Sequence, residues 1–127
     1  MPIIEWSDSY AIGNEQIDDQ HKKIFTIFNR LYDSFIDDSG GKVYERAVDR
    51  LLSISNHHFL LEESIMFESG NSEYYEHLRE HKFFTRKVGE LQDMVITGQK
   101  ERTRELMEYL GNWIIHHEIV RDRKISD

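Results

Sequence analysis

Six side chains that bind metals well occupy positions of this sequence where apolar residues are expected. Each lies on a line of apolar residues spaced by three and four positions, and the six are His21, His58, Glu62, His77, His81 and His117. A buried, ionised carboxylate without a partner costs several kcal/mol, so six such side chains in one small core need a common explanation. A metal provides one, because it satisfies imidazole nitrogens and carboxylate oxygens together.

The spacing within each segment agrees with a shared site. His58 and Glu62 are four residues apart, as are His77 and His81, which directs each pair to one side of a helix. A single histidine on an apolar face is usually a hydrogen-bonded core or boundary residue. Five histidines together with a glutamate favour a metal site over separate structural roles.

Two further histidines keep the ordinary structural interpretation. His57 and His116 each stand next to a candidate ligand but lie off the apolar line of their helix. We therefore interpret both as boundary residues or as outer neighbours of the site.

The apolar spacing predicts four helices separated by glycine-containing breaks. Their expected ranges are about 18–38, 42–67, 72–95 and 100–123, with Ser72 as the N-cap of the third. Short loops between them predict an all-α fold, an up-down-up-down antiparallel four-helix bundle. The 127 residues suit a single domain, with an extended N-terminal arm over 1–17 and the bundle over 18–123.

This topology brings the candidate ligands together. They lie near the start of the first and third predicted helices and toward the end of the second and fourth. In an antiparallel bundle these four regions share one end, so the side chains converge on one layer of the core.

Other metal sites fit the spacing less well. No histidine has a glutamate three residues before it, which disfavours the Glu-x-x-His sites of ferritin-like bundles. The His-Glu-x-x-His pattern of zinc hydrolases is absent. Five histidines exceed the ligands of one tetrahedral zinc and suit two metals that share carboxylates. The residue types alone leave iron, zinc, copper and nickel open.

Composition excludes several classes of function. There is no cysteine, which rules out disulfides, thiolate catalysis and cysteine-bound clusters. The net charge of −8 argues against nucleic acid or an anionic membrane as the partner, and protein partners are not identified. The N-terminus has no signal-peptide pattern and no apolar stretch approaches the ~18 residues of a membrane span. A cytoplasmic protein is expected.

The ordered set of motifs over roughly residues 6–122 resembles the bacterial hemerythrins. The matching segments are Asp18-Asp19-Gln20-His21, then 58–63 with Met66, then 77–81 with Phe84, then 113–117 with Asp122, together with Trp6 and Gly13 in the arm. Each segment is weakly specific by itself, and their order makes the resemblance specific.

The resemblance implies a non-haem di-iron site that binds dioxygen or a related small ligand. It assigns His77, His81 and His117 to one iron, His21 and His58 to the other, and Glu62, Asp122 and an oxo or hydroxo group as bridges. The iron with fewer ligands keeps an open position, where oxygen is bound reversibly as hydroperoxide in a dry pocket. Asp122 rests on the resemblance, since it lies about 140° around an ideal helix from His117, and its position alone is equally consistent with a solvated acid at the helix end.

Five residues are candidates for the apolar walls of the oxygen pocket: Ile24, Phe59, Trp113, Ile114 and Val120. Each is equally consistent with an ordinary core position.

Two positions depart from the family pattern. Asn71-Ser72 stands where the family usually has Tyr-Pro, which is expected to change only a loop. Glu118 stands where an apolar residue usually follows the last ligand histidine. Glu118 is either an inward ligand or proton donor, or a solvent-facing residue near the helix end.

The leading hypothesis is therefore an oxygen-binding protein for carriage, storage or sensing. A second hypothesis is an enzyme, a di-iron peroxidase or a scavenger of oxygen or nitric oxide that uses Glu118. A third is an interaction module, such as the sensor domain of a signalling protein. A bundle that has lost its metal is disfavoured by the nearly complete ligand set.

Overall fold

A computed structural model describes residues 3–36, 41–96 and 98–117 of the chain. Within these ranges there are four α-helices and no β-strand: α1 (Glu15–Ile36), α2 (Gly41–Ser69), α3 (Tyr74–Ile96) and α4 (Lys100–Ile115). Consecutive helices pack against each other, and the predicted all-α four-helix bundle is confirmed. Among the described helices, none is long and apolar enough to cross a membrane.

Local hydrogen bonds set the helix ends, and they differ from the predicted ends in two places. α1 begins before residue 18 because the side chain of Asn14 accepts the N–H of Ile17 at 3.1 Å and acts as its cap. In the turn just before α3, the side chain of Asn71, rather than that of the predicted cap Ser72, accepts the N–H of Glu73 at 2.8 Å. The predicted end of α4 near residue 123 lies outside the described residues.

A glycine with a left-handed backbone ends α2. Gly70 has a φ of +68°, and the N–H of Asn71 then donates to the carbonyl of Met66 at 3.0 Å. This arrangement satisfies a carbonyl that the helix itself leaves open, and it turns the chain toward α3. The turn brings the end of α2 next to the start of α3, where four of the candidate ligands lie.

The half of the bundle away from the candidate ligands holds an apolar core. Its fully buried members come from all four helices and include Phe28, Leu31, Val48, Leu51, Val88, Leu91, Met107 and Leu110. Tyr44 is 4% exposed and donates its hydroxyl to the carbonyl of Leu91 at 2.9 Å. Burial raises the pKa of the Tyr44 phenol above its ordinary value of 10.0.

The N-terminal arm packs on the bundle through one buried residue and a pair of aromatic rings. Ile4 is buried, and its Cγ2 lies 3.2 Å from where a Cβ on Gly111 of α4 would stand. The Asn29 side chain holds the Ile4 backbone, accepting its N–H at 3.1 Å and donating to its carbonyl at 2.8 Å. Trp6 meets Phe25 edge-on at 5.6 Å. The arm therefore lies against α1 and α4.

Candidate metal centre

The structure brings all six predicted ligand side chains together at one end of the bundle. His21 comes from α1, a histidine and Glu62 from α2, two histidines from α3, and His117 from the wider helical turn that follows α4. All six are buried, with at most 3% of any one exposed. Helix periodicity turns each side chain inward, and the antiparallel packing places them in one layer.

The two carboxylate oxygens of Glu62 face two different groups of histidines. Oε1 is in direct contact with Nε2 of His58 and lies 3.8 Å from Nε2 of His21. Oε2 lies 3.3 Å from Nε2 of His81 and 3.8 Å from Nε2 of His117. The carboxylate of Glu62 therefore lies between the two groups of histidines, in the position of a ligand that both groups share.

Two overlapping sets of possible ligand atoms follow from this arrangement. Glu62 forms one set with His21 and His58 and a second set with His77 and His117, and the atoms within each set lie within 4.8 Å of one another. His77 faces the second group, with its ring centre 5.2 Å from that of His117 and 5.6 Å from that of His81.

The outer nitrogens of three histidines are held by oxygen acceptors that the sequence analysis did not single out. The Nδ1 atoms of His58, His81 and His117 contact Gln20 Oε1 at 2.6 Å, Glu63 Oε2 at 2.7 Å and Glu80 Oε2 at 2.9 Å, respectively. Each acceptor is the sequence neighbour of a candidate ligand and reaches the histidine of the next helical segment. That adjacency was the available signal, but spacing along one helix does not show which partner lies across the bundle.

These contacts select one tautomer of the neutral imidazole. A neutral ring that donates from Nδ1 to a carboxylate, as at His81 and His117, carries its lone pair on Nε2. The two Nε2 atoms are 3.2 Å apart, a distance at which facing lone pairs repel unless a cation or proton lies near both. Imidazole nitrogens of this tautomer beside the carboxylate of Glu62 are the donor set that transition metals and zinc take. The residues therefore fit a metal centre.

Aromatic rings cover two of the histidines. Phe59 stacks on His81 with ring centres 3.9 Å apart, and Trp113 stacks on His117 at 4.5 Å. Phe84 lies against both covering rings, 5.7 Å from Phe59 and 4.7 Å from Trp113. These contacts keep water from the histidine rings and limit their rotation.

Of the predicted pocket walls, Ile24, Phe59 and Ile114 are buried and Trp113 is partly buried. His57 and His116 are exposed, in agreement with their interpretation as boundary residues. Val120, Glu118 and Asp122 lie outside the described residues, so their roles stay predictions.

Comparison with known proteins gives a consistent picture. Residues 12–119 match the family model of the hemerythrin HHE cation binding domain. A bacteriohemerythrin of Clostridium acetobutylicum is 25% identical over 126 residues, which cover 96% of this chain and 98% of that protein. A bacteriohemerythrin of Stenotrophomonas maltophilia is 30% identical over 130 residues, covering 100% of this chain and 82% of that protein. A bacteriohemerythrin of Pseudomonas aeruginosa is 28% identical over 117 residues, covering 92% of this chain and 75% of that protein.

Proposed function

Because this chain belongs to the hemerythrin family of cation-binding domains, we propose that it holds two iron ions in the buried histidine–glutamate cluster and binds dioxygen reversibly. The use is carriage, storage or sensing of oxygen. The observation that carries the proposal is the position of Glu62, whose two oxygens face two separate groups of histidines.

The proposed ligands follow these two groups. His21 and His58 serve one ion on the Oε1 side of Glu62, and the three remaining histidines serve the other on the Oε2 side. Asp122 is proposed as a second bridging carboxylate, with an oxo or hydroxo group completing the bridge. The first group has fewer protein ligands, so a metal held there would keep a position open for oxygen.

Iron supplies the reversible exchange of electrons with dioxygen when it is bound, and the protein supplies the surroundings. Gln20, Glu63 and Glu80 orient the imidazoles and favour the tautomer whose inner nitrogen carries the lone pair. The rings of Phe59 and Trp113 exclude water from the histidines that they cover. A dry surrounding keeps solvent protons away from the site.

The test is an optical spectrum of the reduced protein after metal analysis, taken before air, after air and after removal of oxygen. Two irons per chain and a visible band that appears in air and disappears on deoxygenation are expected. Irreversible conversion to a ferric spectrum would contradict reversible binding and favour the redox-enzyme hypothesis.

The two histidine doublets offer matched controls. His58→Ala and His117→Ala should lose iron and the visible band, because both side chains are buried in the cluster. His57→Ala and His116→Ala remove exposed neighbours and should keep both. Equal iron loss in the two pairs would exclude the assigned site.

A further inference from the structure

One side of α3 is positively charged in a chain that is acidic as a whole. Acidic residues number 24 against 16 basic ones, yet residues 79–87 contain four basic residues and a single carboxylate. The four form what we call the cationic face: Arg79, Lys82, Arg86 and Lys87. That one carboxylate, Glu80, points to Nδ1 of His117 at 2.9 Å. Lys87 is paired with Glu90 at 3.4 Å, so Arg79, Lys82 and Arg86 carry the positive charge that this segment presents to solvent.

The cationic face borders aromatic rings that lead to the candidate metal centre. Arg79, Lys82 and Arg86 line a groove between α3 and α4 together with Trp113. Glu76 and Glu80 also line it, which leaves an excess of one positive charge there. The indole of Trp113 is stacked on His117, nearly parallel to it at 6°. Trp113 thus contacts both the groove and a proposed iron ligand.

Arginine and large aromatic side chains are the residues most often found at the energetic centre of protein interfaces. Besides Trp113, Phe83 and the half-exposed Tyr109 lie on this side of the bundle, with ring centres 6.3 Å apart. The Cζ atom of Arg86 and the Nζ atom of Lys87 each lie 5.7 Å from the centre of the Phe83 ring. The surface therefore combines positive charge with apolar area, which suits a negatively charged protein.

We propose that the cationic face docks an acidic one-electron carrier protein, and that Trp113 connects the carrier's cofactor to His117. The proposal rests on the proposed iron site. In each transfer one electron leaves the reduced iron–sulfur or flavin group of the carrier, which is oxidised, and one ferric ion becomes ferrous. The ligand histidines are at most 3% exposed, so a protein-bound cofactor cannot touch them directly. A ring stacked between surface and ligand shortens the gap.

A second basic groove on the molecule provides a matched control. It lies between α1 and α2, where Lys22, Lys23, Arg30 and Arg50 surround Ile27 and Ile54. Arg79→Glu with Arg86→Glu and Arg30→Glu with Arg50→Glu make the same chemical change at two exposed pairs. A general effect of net charge would act on both double variants alike.

The first measurement is binding of an oxidised, acidic plant-type [2Fe–2S] ferredoxin to the oxidised iron-loaded protein by titration calorimetry at low salt. Wild-type protein should bind, with an affinity that falls as salt is added. The Arg79→Glu/Arg86→Glu variant should bind at least about tenfold more weakly, because like charges then face each other. The Arg30→Glu/Arg50→Glu variant should bind like wild type, because the groove around that pair is basic but has no aromatic ring in its lining. No binding, or equal loss in both variants, would overturn the proposal.

The second measurement is anaerobic stopped-flow reduction of the ferric protein by reduced ferredoxin and, separately, by dithionite. The ratio of the two rates should fall several-fold in Trp113→Leu and should be largely restored in Trp113→Phe, which keeps a ring. An unchanged ratio would exclude Trp113 as the connection. If dithionite also fails to yield ferrous protein, the proposed iron function itself fails. If dithionite yields ferrous protein while the ratio of the two rates is the same in wild type and the Trp113 variants, only the docking proposal fails.

Discussion

Glu62 lies in an environment that is costly for an ionised carboxylate. Its carboxylate has no exposed surface and lies between two groups of buried histidines. An ionised carboxylate in such a place is expensive unless positive charge compensates it. The two proposed metal ions, one on each oxygen, would provide that compensation, and the carboxylate would in turn tie both ions to α2.

The outer partners of the histidines determine how well the rings are held. Glu80→Leu should weaken metal affinity by roughly 10- to 100-fold, because the Nδ1 of His117 loses its acceptor. Glu80→Gln keeps an acceptor oxygen and should retain most of the affinity. Competition with a chelator of known affinity measures the metal affinity of both variants. Equal affinity in Glu80→Leu and wild type would show that this contact does not position the ligand.

Tyr44 is a residue from which a pH dependence of stability is expected. Burial raises the pKa of its phenol above the ordinary value of 10.0 that it regains on unfolding. The neutral phenol favours the folded state, so this contribution is complete below about pH 10 and is lost as pH rises toward the folded pKa. The free energy of unfolding should fall by up to about 1.4 kcal/mol per pH unit in that window.

Tyr44→Phe is the comparison that isolates this effect. Near pH 8 the variant should be less stable by about 1 kcal/mol, because the hydroxyl no longer donates to Leu91. Above about pH 10 the difference should shrink, since phenylalanine does not ionise. Urea unfolding across this range measures it, and a constant difference would show that the phenol does not titrate with folding.

Among the structural elements, the N-terminal arm depends on an unusual pair of contacts. It has almost no regular structure, so its backbone groups must find partners on the bundle. Asn29 of α1 supplies both a donor and an acceptor to Ile4, and the small Gly111 of α4 leaves room for the isoleucine. The arm therefore adds a link between the first and last helices.

Asn29→Leu should release this arm. The free energy of unfolding should fall by about 1–3 kcal/mol, because the buried peptide groups of Ile4 lose both partners. Amide exchange at Ile4 should also accelerate. Thr26→Val is the control, since the exposed Thr26 bonds only to the carbonyl of Lys22 within its own helix. If exchange at Ile4 is unchanged in Asn29→Leu, the arm is held by other contacts.

For the molecule as a whole, the candidate centre lies where all four helices meet. The apolar core fills one part of the bundle, and the histidine–glutamate cluster occupies the end where an apolar core would otherwise continue. A metal bound there by side chains from every helix is linked to folding, because the unfolded chain does not present these ligands together.

Removing the metal should therefore lower the stability of the entire bundle. At free metal about a thousand times the dissociation constant, binding adds about 4 kcal/mol to the free energy of unfolding. Thermal melts with and without a chelator measure the loss. Glu62→Gln, which removes the shared negative charge, should show a much smaller shift. Equal shifts in the two proteins would mean that the chelator acts elsewhere.

Helix periodicity is a local property, and it was sufficient to predict much of this protein. Residues three and four positions apart share a face whatever the rest of the chain does, so the four helices and the inward line of histidines could be predicted from spacing. Which histidine of a doublet faces the core was also predictable from spacing: His58 is buried and His57 is exposed. The helix ends were less predictable, because Asn14 and Asn71 act through individual hydrogen bonds.

The distances and rotations between helices are not encoded in any one segment, and only the tertiary structure decided what depends on them. These include the division of the histidines by the oxygens of Glu62 and the reach of Gln20, Glu63 and Glu80 to rings on the next helical segment. They also include the fit of Ile4 beside Gly111. Each requires two or more helices to be placed to within an ångström, which packing of the whole core determines.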